Sequence, residues 1–278
     1  MKKMKRKIET IRNNARTCGK CLFAVSLPAF VLVVGLSVQA AGQSYGFRGI
    51  AAIKEEFGLV FPIRGGVSGQ VDFQLYTQSD DVKVNANPFR YVQYIHIRPY
   101  LHYNGFKNIQ VSFSPSYMRR FAIPSFGTGA SDEFRLTGMA TFTQPQRFGS
   151  VYEQARVELR NTRDDAGSWS HVPRFRFRFG QNFDLAKESI KKHRIAAYEE
   201  ILFKYRKGSK AFDSVQLYIG YGFNPRPDVM MSAGFLTQMQ LKSSGRDFDF
   251  YFGPSVSVRY TLGKRKTDLP PPEPNAEN

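Results

Sequence analysis

Along most of the chain, apolar and polar residues alternate with a period of two. In the segment 214–223, Leu217 and Ile219 share one face, while Gln216 and Gly220 share the other. Successive side chains of a β-strand point to opposite faces, so this pattern predicts strands that each have one apolar face. Ten segments follow it: 67–76, 88–103, 109–121, 134–145, 150–160, 171–183, 195–206, 214–223, 229–241 and 248–262.

The lengths of these segments and of their links favour a membrane barrel. Many segments run 10–15 residues, which exceeds the roughly five or six residues of a typical soluble strand and suits a tilted membrane-crossing strand. Long links at one end and short turns at the other are typical of bacterial outer-membrane barrels. The long links are 77–87, 122–133, 161–170, 207–213 and 242–247, and the short ones include 104–108, 146–149 and 224–228. The link 184–194 is too long for its end and predicts a helical turn.

The first part of this region decides the expected strand count. Ile50–Glu56 and Phe57–Ile63 can form an additional hairpin, closed by residues 64–66. Because single-chain bacterial barrels have even strand numbers, we favour twelve strands, with ten as the alternative. The predicted fold is all-β, an antiparallel up-and-down transmembrane β-barrel.

A soluble barrel or sandwich would show the same alternation. It would place Phe175, Phe177 and Phe179 inside and the intervening arginines in water. The polar face of this chain is rich in Gln, Ser, Gly and Tyr, where a soluble surface would carry more Lys and Glu. This composition favours the membrane barrel.

The N-terminal segment accounts for much of the formal charge of +17. Residues 1–20 hold eight cationic side chains against one acidic one, and an uncharged apolar stretch follows from Cys21 to Val38. Small residues come next, so we predict a secretory signal peptide at 1–40, cleaved after Ala40 or Ala41. An N-terminal membrane anchor is the alternative, because the apolar stretch is just long enough to span a bilayer.

The rest of the chain divides into a barrel domain at 41–262 and a Pro-rich tail at 263–278, predicted to be disordered in the periplasm. The predicted location is the outer membrane of a Gram-negative bacterium. The expected partners are outer-membrane lipid and the export and barrel-assembly machinery. Export argues against nucleic acid as a partner, since the mature charge falls to +10 (32 cations against 22 acids) and no groove-reading motif occurs.

Residues suited to catalysis or metal binding are scarce. Cys18 and Cys21 lie in or before the apolar stretch, so the mature chain has no disulfide or thiolate chemistry. His96 and His102 share a face but lie about 20 Å apart at 3.3 Å per strand residue. No serine has a nucleophile-elbow context, and no histidines and carboxylates have metal-ligand spacing. The sequence therefore predicts no catalytic activity, no metal and no cofactor.

The candidate site is a row of charged residues whose spacing places them on one face of three neighbouring strands. They are Arg156, Glu158, Arg160, Arg174, Arg176, Arg178, Glu200 and Lys204. Arg or Lys on the lipid face costs about 2–4 kcal/mol at the midplane, so we expect this row in the lumen. One interpretation is a charge ladder that fills a narrow lumen, with Glu158 and Glu200 as cross-strand partners. The other is a constriction that attracts anions.

The order of several short motifs resembles the outer-membrane barrel family DUF2490, whose function is undefined. The motifs are YEQARVELR at 152–160, RFRFRF at 174–179, AYEEILF at 197–203, LYIGYGF at 217–223 and GFLTQ at 234–238. The similarity covers most of the mature chain and is best from Val151 to Gln240. Gln216 and Phe235 depart from the Arg and Tyr that are common in such barrels. The resemblance implies an outer-membrane location and a barrel architecture, but no reaction.

The function expected from the sequence is that of an integral outer-membrane β-barrel with a structural or narrow-channel role. One alternative is a soluble periplasmic β-barrel or sandwich that binds an apolar ligand. A second alternative is a small anion-selective channel lined by Arg174, Arg176 and Arg178.

Overall fold

The barrel is built from eleven strands. The computed structural model describes residues 47–185, 193–205, 211–242 and 247–263. Its strands are β1 (Phe47–Pro62), β2 (Val67–Asp81), β3 (Tyr91–Phe106), β4 (Ile109–Arg120), β5 (Ser131–Gln146), β6 (Gly149–Asp164), β7 (Trp169–Asp184), β8 (His193–Lys204), β9 (Phe212–Arg226), β10 (Val229–Leu241) and β11 (Phe248–Thr261).

The strands close into one continuous sheet in sequence order. Each strand pairs antiparallel with its neighbours along the chain, whereas β1 pairs with β11 in parallel. The expected all-β barrel with sequential strands is therefore present. The expectation that every pair is antiparallel is wrong where β1 meets β11, a junction that we call the seam. In an up-and-down barrel with an odd strand number, the first and last strands run in the same direction.

The expected count of twelve strands is also wrong, because the predicted N-terminal hairpin is one uninterrupted strand. No turn separates Glu56 from Phe57. Lys54, Glu56, Gly58 and Val60 all face inward on β1 with the phase unbroken. The chain first reverses at 63–66, where Gly65 and Gly66 have φ of +72° and +75°. The predicted turn at 64–66 is present, and it joins β1 to β2.

Closure of the seam depends on a glycine. Gly253 on β11 has φ +157°, and a Cβ at this position would lie 1.8 Å from the Ala52 carbonyl oxygen on β1. Only a residue without a side chain allows the two backbones to approach this closely. The parallel register Phe47↔Phe248 to Val60↔Thr261 runs on both sides of this contact.

The polar face of the strands points inward and the apolar face points outward. Glu133 and Glu200 are fully buried, whereas Phe177 and Ile219 are 54% and 60% exposed on the outer surface. The alternative orientation, in which Phe175 and Phe177 point into the barrel and the intervening arginines point outward, is therefore not adopted. Two small apolar clusters interrupt the polar interior: Tyr152, Ala196, Tyr198, Tyr218 and Leu236 at one end, and Ile50, Ala52, Tyr76 and Tyr251 at the other.

The links differ between the two ends of the barrel. We call one end the long-loop end, with links 82–90, 121–130, 165–168, 205–211 and 242–247. The other is the short-turn end, with links 63–66, 107–108, 147–148, 185–192 and 227–228. The helical turn predicted within 184–194 falls mainly on 186–192, outside the described residues. The predicted signal peptide, its cleavage after Ala40 or Ala41 and the tail beyond Gly263 also lie outside them.

Helix is confined, within the described residues, to one 3-10 turn at Pro124–Phe126. No helix in that part of the chain is long and apolar enough to cross a membrane.

We predict that Gly253→Ala lowers the free energy of unfolding by about 1–3 kcal/mol, because the methyl group forces β1 and β11 apart in a strained backbone. Urea titration of the folded protein, followed by far-UV circular dichroism, measures the change. Gly138→Ala is the matched control, since a Cβ there meets no atom within 4 Å. Equal midpoints for both variants would contradict this account of the seam.

Candidate functional site

The interior of the barrel holds a network of buried ion pairs, which begins at Glu133 on β5. This carboxylate is fully buried and pairs with three arginines. Arg135 lies two residues along the same strand, Arg160 donates from Nε and Nη2 on β6, and Arg120 on β4 lies at 3.6 Å. The inward phase of β5 brings Glu133 and Arg135 to the same face.

Glu158 on β6 and Glu200 on β8 continue the network. The Arg176 side chain on β7 bridges them, with Nε 3.0 Å from Glu158 and Nη1 2.9 Å from Glu200. Arg178 donates Nε and Nη2 to the second oxygen of Glu200. The guanidinium fork lets one arginine contact two carboxylates. Five neighbouring strands, β4 to β8, are therefore linked by charged side chains.

Asp213 closes this side of the network near the long-loop end. Its two oxygens accept from Arg174 at 3.0 Å and from Lys204 at 3.1 Å. Asp213 lies at the second position of β9, so this contact joins β7, β8 and β9.

The facing wall has its own carboxylates, Glu56 on β1 and Asp72 on β2. Arg98 on β3 lies 3.0 Å from Glu56 and 3.7 Å from Asp72. Lys54 and Arg259 lie 3.4 Å and 3.9 Å from Glu56. The parallel seam between β1 and β11 is therefore also bridged by charge.

We define the lumen ion-pair network as six carboxylates and the eleven cationic side chains that pair with them. The carboxylates are Glu56, Asp72, Glu133, Glu158, Glu200 and Asp213. The cations are Lys54, Arg98, Arg120, Arg135, Arg156, Arg160, Arg174, Arg176, Arg178, Lys204 and Arg259. Eleven positive against six negative charges leave the network with an excess of five positive charges.

A cavity lies inside this network, with about 1050 Å³ of empty space when the part open to solvent is counted. Eight cationic side chains line it, against only two carboxylates, Glu158 and Asp213. The carboxylates of Glu133 and Glu200 are not among the lining groups, because arginines cover them. The cavity therefore presents mainly guanidinium groups, together with amides such as Gln216 and Gln238.

All eight residues of the predicted charge row lie inside the barrel. Their side-chain exposures run from 0% for Glu200 to 21% for Lys204. Glu158 and Glu200 each form ion pairs with arginines on β7. Arg174 and Lys204 instead share Asp213, and Arg160 pairs with Glu133.

Sequence reasoning missed Glu133, Arg135, Asp213 and Glu56. The predicted strand began at residue 134, so the inward pair Glu133 and Arg135 was cut at its boundary. A longer strand in the same phase would have included it. Glu56 was missed because the predicted hairpin ended its strand at that residue.

Two buried histidine–serine contacts also lie in the lumen. His96 Nε2 is 3.2 Å from Ser116 Oγ, and His102 Nδ1 is 2.7 Å from Ser112 Oγ. Only the first pair lines the cavity. A serine nucleophile needs a histidine that a third group orients, and within the described residues His96 makes no hydrogen bond to a carboxylate.

The link 121–130 packs against the apolar cluster at the long-loop end of the barrel. Ile123 is buried, and Phe126 packs on the apolar cluster that contains Tyr76 and Tyr251, both of which line the cavity. The Arg48 guanidinium stacks on the Phe126 ring at 3.7 Å from its centroid. The backbone N–H of Ala130 donates to Asp165 in the next long link at 2.7 Å.

Groups of three or more His, Cys, Asp or Glu side chains that could hold a metal ion are absent from the described part of the chain. The lumen carboxylates are instead occupied by arginines and lysines, as the ion-pair distances above show.

Comparison with known proteins identifies one family. A family model described as protein of unknown function (DUF2490) matches residues 57–249, which include every strand from β2 to β10. No curated protein matches the chain.

We predict that Glu133→Gln lowers the free energy of unfolding by about 3–5 kcal/mol, because Arg120, Arg135 and Arg160 then lose their shared buried carboxylate. Denaturant titration followed by the fluorescence of Trp169 measures the loss.

Asp132→Asn is the matched control, at the adjacent outward position of the same strand. Asp132 pairs with Arg119 on the outer surface, where both side chains are about one-third exposed, and such pairs contribute little. A Glu133→Gln midpoint equal to that of Asp132→Asn would show that the buried pairs are not needed for stability.

Proposed function

The chain belongs to the DUF2490 family of proteins of unknown function, and we propose that it is an integral β-barrel of the bacterial outer membrane. The observation that carries this proposal is the inverted distribution of polarity, with charge inside and apolar side chains outside. A barrel in lipid needs this distribution, because its outer surface meets hydrocarbon and its closed sheet satisfies every backbone group.

The apolar outer band supports the proposal. Side chains near the middle of the strands, such as Phe177, Ile219 and Val256, are 43–60% exposed. Contiguous exposed apolar surface of this kind is rare on soluble monomers and marks contact with a partner or a membrane. Strands of 12–16 residues exceed the roughly ten needed to cross hydrocarbon at a tilt.

Aromatic side chains are exposed near both ends of the barrel, as interfacial girdles require. At the short-turn end they include Phe61, Tyr103, Phe106, Phe148 and Phe183. At the long-loop end they include Phe89, Tyr117, Phe121, Phe134 and Trp169.

Export to the outer membrane is supported by the basic, then apolar, N-terminal sequence and by the small residues Ala40 and Ala41. The partners we propose are therefore outer-membrane lipid and the export and barrel-assembly machinery. The excess positive charge is placed in the lumen and in links, so we propose no nucleic-acid partner.

We propose a structural or passage role without catalysis. The His96–Ser116 contact has no orienting carboxylate among the described residues, and it lies among arginines that bind carboxylates. A soluble barrel that holds an apolar ligand is less consistent with this interior, because the cavity is lined by guanidinium and amide groups.

A lysine introduced at the centre of the apolar outer band distinguishes a membrane-integral barrel from a soluble one. We predict that Phe177→Lys destabilises the membrane-inserted barrel by about 2–4 kcal/mol, because a charge then faces hydrocarbon. Val84→Lys, in the exposed link 82–90, is the control and leaves stability unchanged.

The readouts are heat-modifiable gel migration and retention in membranes after carbonate washing. Complete release of the wild-type protein by carbonate, or unimpaired folding and solubility of Phe177→Lys without membranes, would overturn the membrane proposal.

A second candidate function, a narrow passage that prefers anions, is favoured by the lining of eight cationic side chains against two acidic ones. Positive rings attract anions into a pore and exclude cations. Eleven strands leave little open space, since water-filled porin channels have about 16–18 strands. A low conductance is therefore expected.

We predict an anion preference in planar bilayers that falls in Arg174→Gln, because one lining charge is removed while Asp213 keeps Lys204. Arg163→Gln is the control, since Arg163 lies on the outward face of β6. The reversal potential in a salt gradient reports the preference. Cation preference in the wild type, or equal potentials for both variants, would exclude an arginine-lined passage.

A further inference from the structure

Three arginines line the cavity from two adjacent strands. Arg156 and Arg176 are register partners on β6 and β7, and Arg174 shares the inward face of β7 with Arg176. The Nε–H groups of Arg156 and Arg174 are buried without a hydrogen-bond partner among the described residues, whereas Arg176 Nε lies 3.0 Å from a Glu158 oxygen. Like charges at adjacent inward positions repel one another.

Arg156 is the least compensated of the three. Arg176 contacts Glu158 and Glu200 at 3.0 Å and 2.9 Å, and Arg174 contacts Asp213 at 3.0 Å. Arg156 instead donates Nη2 to the neutral amide oxygen of Gln154 at 3.0 Å, and its ion pair with Glu158 is 3.7 Å long. Its side chain is 4% exposed. A buried cation without a close anion is costly, and an anion from solution would relieve that cost.

The chemistry of the lining selects the class of anion. Guanidinium groups offer paired N–H donors that match the oxygens of phosphate or carboxylate. Three guanidinium groups from two adjacent strands suit a tetrahedral anion with several oxygens better than a planar one with two. The cavity has room for such an anion together with water.

We propose that the lumen is a binding site for a phosphate-sized oxyanion, held by Arg156, Arg174 and Arg176. This proposal rests on the anion-preferring passage proposed above. The site is the point within that passage where an anion would bind transiently. The lumen ion-pair network has an excess of five positive charges. The site therefore attracts an anion even though every carboxylate of the network is already paired.

The test uses the full chain, folded in detergent micelles free of phospholipid, with inorganic phosphate as the probe. Isothermal titration at constant ionic strength is expected to show saturable binding at one site, and chloride is expected to show none. In Arg156→Gln the affinity for phosphate falls about tenfold or more, since charge-assisted hydrogen bonds to the anion are lost. Arg163→Gln on the outward face of the same strand keeps the wild-type affinity.

A second measurement separates ligand binding from a structural role. Without phosphate, Arg156→Gln is expected to be at least as stable as the wild type, because like-charge repulsion falls and Glu158 keeps Arg176. Added phosphate raises the denaturation midpoint of the wild type and of Arg163→Gln, but not that of Arg156→Gln. Arg156→Lys, which keeps the charge without the guanidinium fork, should bind phosphate with intermediate affinity.

The proposal is overturned if phosphate binding is not saturable, or if Arg156→Gln and Arg163→Gln bind it equally. It is also overturned if chloride at matched ionic strength stabilises the barrel as much as phosphate does. Saturable binding by a protein that carbonate removes from membranes would keep the site and refute the membrane proposal. A membrane-integral barrel without saturable phosphate binding would refute the proposed site and keep the membrane proposal.

Discussion

The cost of burying charge governs the interior of this barrel. A carboxylate enclosed by protein loses most of its hydration, and only close cations with good hydrogen-bond geometry offset that loss. Glu133, Glu158 and Glu200 meet this requirement because each contacts at least two arginines. Between the two small apolar clusters, the strands are thus linked across their inner faces by ion pairs.

This requirement also explains why the barrel can be narrow and polar at once. An interior of arginine and glutamate fills space with long side chains, whose charged ends pair at the centre. At Glu133 the carboxylate is covered by the arginines that pair with it. Where cations outnumber carboxylates, as around Arg156, a cavity remains and its surface is positive.

The outward face follows a different constraint. Its side chains need only be apolar and able to pack beside one another, which explains the mixture of Phe, Leu, Ile and Val along the strand centres. Most of the formal charge therefore concentrates inside the barrel, in the links and in the N-terminal segment. A basic composition that suggests nucleic acid at first sight has three separate physical origins.

The period-two alternation was sufficient to predict an all-β chain, the position of ten strands and the shared face of Arg174, Arg176 and Arg178, because the direction of a side chain along a strand is a local property. The family could also be assigned from the order of short motifs.

Three features needed the tertiary structure. The strand count depends on whether the chain turns at Glu56, and alternation continues unchanged through a strand or a tight hairpin. The parallel seam depends on that count and on the contact of Gly253 with Ala52. The partners of Arg160 and Arg174 lie on strands whose register is set by the whole sheet, so the distribution of uncompensated charge around Arg156 emerges only when the barrel is closed.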